Sequence, residues 1–188
     1  MQKKLYTDEE LVRRCAQGDH QAFRVLYEHF APKMYAYLLR FVNDRDTAHD
    51  LMQDGFIKAY TSIAQFVPRG EGSLQSWLMV LMRNEALQYL RRNDALRESM
   101  DIDSTPLADE IPDSEEVEQI PSEVLMQLLG ELPDGYRTVF SLYVLEDKSH
   151  REIAEMLGIK ERSSASQLVR AKVLLTAKIK NWLKENKE

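Results

Sequence analysis

The stretch from Ser149 to Lys172, SHREIAEMLGIKERSSASQLVRAK, has the pattern of two helices joined by a tight turn. Ser149 and Glu152 have the spacing of a capping box, in which each residue satisfies a free donor at the start of a helix. Apolar residues then recur at helical spacing, and Gly158 follows where a helix can end in the left-handed conformation. In the second helix we expect Ile159, Leu168 and Ala171 to face inward, and Arg162, Ser163, Ser166, Gln167 and Arg170 to face outward.

A helix-turn-helix of this kind offers its second helix to the major groove of DNA. The formal net charge of −6 argues against such a role until the charge is divided by segment. Residues 98–120 hold nine acidic residues and no basic residue, whereas residues 1–97 have a net charge of +2 and residues 121–188 one of +1. Binding to nucleic acid depends on local patches, so the overall acidity does not exclude it.

The same acidic segment divides the chain. It contains two prolines and no aromatic residue, which predicts an extended linker over 98–120. We therefore predict one helical domain over 1–97 and a second over 121–188. No alternation typical of strands is present, so the predicted fold class is all-α, with two small helical domains and the helix-turn-helix in the second.

Capping and turn residues predict where the helices lie. We expect helix starts at the following residues: Thr7, Asp19, Asp46, Ser73, Ser122 and Asp134. Gly18 should end the first helix, and Pro32 should kink or interrupt the second. For the helix beginning at Asp46 we expect an apolar face made of Ala48, Leu51, Met52, Ile57 and Tyr60.

The helix predicted over 74–97 is basic: it carries Arg83, Arg91, Arg92 and Arg97 but only two acids, Glu85 and Asp94. It also carries the aromatic residues Trp77 and Tyr89, and Phe66 lies shortly before it. Basic side chains follow phosphates, and aromatic faces hold unstacked bases. The pattern is equally that of a core helix whose tryptophan packs inward and whose arginines are solvated.

Residue types that mark metal sites or catalysis do not form a pattern here. The acidic run 44–54 lacks the glycine and the final glutamate of a calcium loop, and the four histidines lack metal-pair spacing. Cys15 alone indicates a small buried hydrophobe. We expect no metal, no cofactor and no enzymatic activity. Without an apolar stretch long enough for a span or a signal peptide, we expect a cytoplasmic protein with no membrane insertion.

The order of the motifs resembles the extracytoplasmic-function (ECF) group of bacterial RNA polymerase sigma factors. The motifs are DTAHDLMQDGFIKAY, then SWLMVLMRNEALQYLRR, the acidic linker, LPDGYRTVFSLY and the helix-turn-helix, and the resemblance covers about residues 5–185. It implies a protein that binds core RNA polymerase, recognises −35 and −10 promoter elements and melts DNA to begin transcription. Many members are held inactive by an anti-sigma protein, which the resemblance adds as an expected partner.

The resemblance also implies roles for individual residues. Those matched to docking on the clamp helices of the polymerase largest subunit are Asp50, Gln53, Asp54, Phe56 and Lys58. Those matched to the melted −10 strand are Phe66, Trp77, Asn84, Tyr89, Arg91 and Arg92, within or after a loop (66–73) that captures a flipped base. Those matched to the −35 duplex are Arg162, Ser163, Ser166, Gln167 and Arg170. For Trp77, core packing remains an equal alternative, and the acidic linker is either a nucleic-acid mimic in a polymerase channel or a solvated spacer.

The recognition helix departs from the family pattern. Where the family usually has Thr-Val-(Lys/Arg)-Ser-Arg, this chain has Ser-Ser-Ala-Ser-Gln, so Ala165 and Gln167 replace residues that are usually basic. Lys160 stands where a serine cap is common. We expect weaker attraction to phosphates and a −35 preference that differs from the usual one.

Two other classes of protein remain open at this point. A conventional transcriptional regulator would use the same helix-turn-helix to bind duplex operators by itself, normally as a symmetric dimer. A sigma-like decoy would bind polymerase without initiating transcription, and the depleted basic charge of the recognition helix favours it. An enzyme is the least supported class.

Overall fold

The structure is a computed structural model that describes residues 6–93 and 120–186. Its helices are α1 Asp8–Ala16, α2 His20–Leu38, α3 Arg45–Ser62, α4 Ser73–Arg92, α5 Ser122–Gly130, α6 Asp134–Phe140, α7 His150–Leu157 and α8 Glu161–Glu185. A 3-10 turn, Ile63–Gln65, follows α3, and a π-helical turn, Ser141–Leu145, continues α6. The two described ranges contain no strand, so the predicted all-α class is confirmed.

The chain forms two compact units. Unit 1 comprises Met1–Leu39 and Asp44–Ala86, and unit 2 comprises Arg40–Asn43 and Leu87–Glu188. The division therefore falls within α4, and the boundaries 1–97 and 121–188 stay a prediction. Residues 98–119 of the predicted linker lie outside the described residues.

The last residue of the predicted linker, Ile120, is a core residue of unit 2. Its side chain is buried and clusters with Leu128 of α5 and Ile179 of α8. Partly buried residues of α5 and α8, among them Trp182, pack against this cluster. Burial of this apolar surface fixes the chain to the second unit at Ile120, one residue before the predicted start of the second domain.

Side-chain caps begin the first helices, as the sequence predicts. The hydroxyl of Thr7 accepts a hydrogen bond from the amide of Glu10 at 3.2 Å. The carboxylate of Asp19 accepts from the amide of Ala22 at 3.1 Å. Gly18, between α1 and α2, has φ +81°, a conformation in which a side chain would be strained.

Two of the predicted helix starts are wrong by one or two residues. The cap of α3 is Asp44, whose side chain accepts from the amide of Thr47 at 2.7 Å, and Asp46 lies in the first helical turn. Asp44 has the extended backbone that a cap requires. Asp134 is the first residue of α6 rather than its cap, and it pairs with Arg137 instead.

Pro32 does not interrupt the second helix, because α2 runs without a break from His20 to Leu38. A proline inside a helix removes one hydrogen bond. Buried residues on both sides of it, Phe30 and Met34, hold the two halves of α2 in the same core. Tertiary packing thus overrides the local preference.

The core of unit 1 lies where α2, α3 and α4 meet, and its fully buried side chains include Leu26, Met34, Leu74, Leu78 and Met82. α3 comes close to α4 at Gly55, where an added Cβ would lie 2.3 Å from Sδ of Met82. One turn further on, the ammonium of Lys58 donates to the carboxylate of Glu85 at 2.5 Å. Glu85 is buried, so this pair satisfies a charge that would otherwise be costly.

Unit 2 has a four-helix core. Leu129, Leu132 and Tyr136 of the α5–α6 region pack against Ala171 of α8. The buried guanidinium of Arg137 donates to the carbonyl oxygens of Gly130 at 2.7 Å and Leu132 at 2.9 Å. The turn between α5 and α6 is therefore held by a side chain as well as by Pro133.

Candidate functional site

The helix-turn-helix has the local geometry expected from the sequence. The amide of Ser149 donates to the Glu152 carboxylate at 2.9 Å, and the Ser149 hydroxyl accepts from the Glu152 amide at 3.3 Å. The amide and the hydroxyl of Ser149 both donate hydrogen bonds to the Glu152 carboxylate, and they lower the pKa of Glu152 below its usual value of 4.5. Gly158 has φ +68°, in the left-handed region, so α7 ends and the chain turns into α8.

The exposed face of α8 differs in one position from the expected one. Arg162 and Ser166 are exposed, and Ser163 and Arg170 are half-buried. Gln167 does not face outward: it is 3% exposed. Its position lies between Ser164 and Ala171 on the inward face, at helical spacing from both.

An exposed apolar residue, Val169, lies among the polar residues of this face. It is 53% exposed and follows Arg162 by seven residues and Ser166 by three, so the three share one stripe of the helix. The sequence pattern did not single out Val169. It lies one residue after Leu168 and two before Ala171, which is not the three- or four-residue spacing of the buried side of the helix. An aliphatic side chain at this position can contact the methyl group of thymine.

Two aromatic residues predicted for the −10 region are in contact in unit 1. The rings of Phe66 and Trp77 stack with centroids 4.9 Å apart and an interplanar angle of 29°. Both side chains are half-buried. Trp77 is thus neither a fully buried core residue nor a free surface residue, and the ring pair forms one wall of an adjoining pocket.

That pocket has a volume of about 650 Å³ and also contacts Arg69, Ser73 and Ser76. The hydroxyl of Ser73 donates to the carbonyl of Gly70 at 2.7 Å and accepts from the amide of Arg69 at 3.1 Å. Gly70 has φ +100°, which favours glycine at the turn. An aromatic wall beside hydroxyl and guanidinium groups is suited to a flipped base, which needs a stacking face and polar partners for its edge.

The remaining −10 residues lie along α4. Asn84, Arg91 and Arg92 are exposed, and Tyr89 is half-buried. Asn84 follows Trp77 by seven residues and Arg91 follows Asn84 by seven, so the three lie on one side of the helix. At 1.5 Å per residue this side is about 20 Å long, the length of several stacked nucleotides.

On α3, the predicted docking residues fall into two groups. Asp50, Gln53 and Asp54 are exposed, whereas Phe56 is 3% exposed and is a core residue. Lys58 is exposed, but its ammonium is engaged by Glu85. Only the first group forms an exposed polar face, because Phe56 lies on the opposite, inward side of the helix.

The structure adds two apolar residues to this face that the sequence pattern placed in the core. Ile57 is 61% exposed and Tyr60 is 39% exposed. They border a groove of about 400 Å³ between α2 and α3, which Phe23 and Tyr27 also line. The buried residues Ala48, Leu51, Met52, Phe56 and Ala59 keep a helical period that excludes Ile57, so its exposure could have been inferred.

The described residues contain neither a candidate metal site nor a candidate membrane-spanning helix. Within residues 6–93 and 120–186, no group of three or more His, Cys, Asp and Glu side chains could hold a metal ion. Over the same part of the chain, no helix has both the length and the apolar character needed to cross a membrane.

Comparison with known families accounts for both units. The family model described as Sigma-70 region 2 matches residues 26–96, and the one described as Sigma-70, region 4 matches residues 122–175. The ECF RNA polymerase sigma-E factor of Haemophilus influenzae is 33% identical over 184 residues, which cover 92% of this chain and 95% of that protein. The chain belongs to the ECF sigma factors.

Another relative is the RNA polymerase sigma-H factor of Pseudomonas aeruginosa, which is 28% identical over 95% of this chain and 96% of its own length. A solved structure of the sigma factor RpoE in complex with the anti-sigma factor NepR, from Bartonella quintana, is similar at 21% identity and a TM-score of 0.49, over 85% of this chain and 98% of that one. In this ECF sigma factor, the exposed face of α3 and the aromatic pocket thus lie within the residues matched to region 2, and the helix-turn-helix lies within those matched to region 4.

Proposed function

We propose that this ECF sigma factor binds core RNA polymerase, recognises −35 and −10 promoter elements, and opens promoter DNA to start transcription. The observation that carries the proposal is the order of the two matches, region 2 and then region 4, in a relative of sigma-E over 92% of the chain. The protein itself performs no covalent chemistry and acts in the cytoplasm, where polymerase and DNA are found.

For polymerase binding we propose the exposed face of α3. Asp50, Gln53 and Asp54 supply carboxylates and an amide for basic and polar partners, and Ile57 and Tyr60 supply apolar area beside them. A central apolar patch with a polar rim is the usual composition of a protein interface. The partner is the clamp helices of the polymerase largest subunit.

For the −10 element we propose that a flipped base enters the pocket beside Phe66 and Trp77, whose stacked rings form one wall. The melted strand then follows α4 past Asn84 toward Arg91 and Arg92. Stacking holds the bases without strong sequence preference, and the arginines contact phosphates.

For the −35 element we propose that α8 enters the major groove with Arg162, Ser166 and Val169 toward the DNA. Two exposed polar side chains and one aliphatic side chain at successive turns offer both hydrogen bonds and a methyl contact. Gln167 is buried in this structure. We therefore propose that its exposed neighbours, and not Gln167, contact the bases.

The decisive experiment is transcription in vitro with core polymerase from the source bacterium, fragmented genomic DNA, and RNA 5′-end mapping with and without the protein. Protein-dependent starts that share two upstream elements are expected. Tight polymerase binding without any start would instead identify a decoy. Binding to duplex operators without polymerase would identify a conventional regulator.

A charge-reversal pair tests the docking face within the same assay. Asp50→Lys with Asp54→Lys should abolish polymerase binding, because both exposed carboxylates become cations. Glu9→Lys with Glu28→Lys, which makes the same charge change on α1 and α2, is the matched control and should bind normally. Equal binding by both pairs would move the docking face elsewhere.

An anti-sigma protein is a further proposed partner, on the strength of family membership. It would inhibit transcription by covering the docking face or α8. Co-purification of a tagged chain from its own bacterium, followed by addition of the captured protein to the transcription assay, tests this. A captured protein that leaves transcription unchanged would not be an anti-sigma factor.

A further inference from the structure

We propose that His150 is a positioning residue that orients the recognition helix α8 through a hydrogen bond to Ser164, and so sets the −35 selectivity of this protein. The proposal rests on the proposed function. Nδ1 of His150 lies 3.0 Å from the hydroxyl oxygen of Ser164. This bond joins the first residue of α7 to the first turn of α8, fourteen residues later in the chain.

A third element completes the arrangement. The ring of Tyr143, in the π-helical turn after α6, stacks on the imidazole of His150 with centroids 4.6 Å apart and planes 25° from parallel. The imidazole is therefore held from one side by an aromatic face and from its edge by a hydroxyl. π-Helical turns within or next to an α-helix often occur at functional sites.

The backbone of α7 also restricts His150. It follows the capping residue Ser149 directly, and the capping box between Ser149 and Glu152 fixes the first turn of α7. Because the residue that carries the imidazole is held by a cap, the ring has little freedom to follow a moving α8. It can act as a fixed point against which α8 is placed.

In the part of the chain that the structure describes, the start of α8 lacks a side-chain cap of its own, because its cap position is Lys160. Ser164 is 0% exposed and lies one turn inside the helix. Its hydrogen bond to His150 lies on the buried side of α8. The exposed side of the same segment would contact DNA bases.

A small rotation of α8 would change which groups reach the base edges. Arg162 and Ser166 lie on either side of Ser164 in the chain and are exposed. A base contact requires hydrogen-bond geometry at about 3 Å. Loss of the hydrogen bond between His150 and Ser164 should therefore alter discrimination between bases more than general affinity for DNA, which comes from phosphate contacts.

Three substitutions separate the parts of this arrangement. Ser164→Ala removes the hydroxyl. His150→Phe keeps a ring to stack on Tyr143 but removes the hydrogen bond, and His150→Asn retains a polar atom near the position of Nδ1. Arg151→Ala, at the next residue on α7, is the matched control, since the Arg151 side chain is exposed and pairs with Glu155 on the surface.

The test is transcription in vitro by core polymerase with each full-length variant. One template carries the −35 element mapped with the wild-type protein, and a set of templates carries single base changes in that element. A template already melted at −10 and lacking the −35 element reports region 2 alone. All assays are run well below the lowest unfolding midpoint among the variants.

For Ser164→Ala and His150→Phe, the ratio of transcription from the matched template to that from the changed templates should fall about three- to tenfold, less than the loss of a whole base contact. Transcription from the melted template should stay unchanged. His150→Asn should restore most of the ratio, and Arg151→Ala should keep all of it.

Unchanged ratios in Ser164→Ala and His150→Phe, while the wild-type protein transcribes, would overturn this proposal alone. A parallel fall on every template would also overturn it, because it would indicate a purely structural role. Absence of any promoter-dependent start with the wild-type protein would overturn the proposed function, and this proposal with it.

Discussion

At the scale of single residues, a close approach between two helices of unit 1, α3 and α4, depends on the absence of a side chain. Gly55 lies in the middle of α3, where glycine normally weakens a helix by about 1 kcal/mol relative to alanine. Its place is explained by Met82 of α4, whose fully buried side chain fills the space that a Cβ would need. Packing between two helices has here outweighed helix propensity.

Gly55→Ala should therefore lower the free energy of unfolding by about 1–2 kcal/mol, because the strain of overpacking exceeds the gain in propensity. Urea denaturation followed by circular dichroism measures this. Met82→Ala creates space, so adding Gly55→Ala to that background should be neutral or stabilising. An equal loss in both backgrounds would mean that the contact with Met82 is not the cause.

Gln167 is a second residue in an unusual position, because its polar side chain is buried. Among the described residues, neither its amide nitrogen nor its amide oxygen has a hydrogen-bond partner, although the side chain is buried. Gln167→Met, similar in volume and apolar, should raise the free energy of unfolding by about 1 kcal/mol. Gln167→Glu should lower it. Thermal and urea unfolding of both variants provide the measurement, and a less stable methionine variant would contradict the expectation.

At the scale of elements, α2 and α3 each begin at an aspartate whose carboxylate caps the helix. The amide of Ala22 and then the guanidinium of Arg14 lower the pKa of Asp19 below 3.8. Hydrogen bonds from Thr47 lower the pKa of Asp44 in the same way. The folded chain therefore stabilises the ionised form of each carboxylate more than the unfolded chain does.

The folded protein should consequently lose stability as the pH falls below about 4. A lowered pKa means that the unfolded chain takes up protons first, so the contribution is complete above pH 3.8 and disappears as the pH falls through the folded-state value. Asp19→Asn with Asp44→Asn keeps cap acceptors but removes two titrating groups, so its unfolding midpoint should change less between pH 5 and pH 3. A slope equal to that of the wild-type protein would show that other groups dominate.

At the scale of the whole molecule, the sites proposed for polymerase, for the −10 strand and for the −35 duplex lie on different helices. The two parts proposed to bind DNA, residues 1–97 and 121–188, carry net charges of only +2 and +1, and nine carboxylates lie between them in the sequence. Neither part should bind promoter DNA strongly alone. Polymerase would hold both at the promoter spacing, which raises the effective concentration of the second site once the first is bound.

Arg91→Ala with Arg92→Ala should separate promoter opening from polymerase binding. Loss of two cations at the end of α4 weakens contact with the melted strand, and we expect open-complex formation to fall by about tenfold or more. Permanganate footprinting measures opening, and co-purification measures polymerase binding. Arg24→Ala with Arg45→Ala, on α2 and α3, is the matched control. If polymerase binding falls together with opening, the assignment of these arginines to DNA is wrong.

The sequence alone determined the features of this protein that depend on neighbours a few residues apart. The capping box of Ser149 and Glu152, the caps Thr7 and Asp19, and the left-handed turn at Gly158 involve atoms at most one helical turn away. The acidic segment and the order of the motifs are likewise properties of the chain itself. They were sufficient to predict the all-α class, the helix-turn-helix and the ECF family.

Only the tertiary structure decided which side chains are available for binding. Phe56 and Gln167 are buried because neighbouring helices cover the faces on which they lie. The stack of Phe66 on Trp77 and the bonds of Lys58 to Glu85 and of His150 to Ser164 each join residues 11 to 27 positions apart. Such contacts depend on how two elements pack together, and local propensity contains no information about that packing.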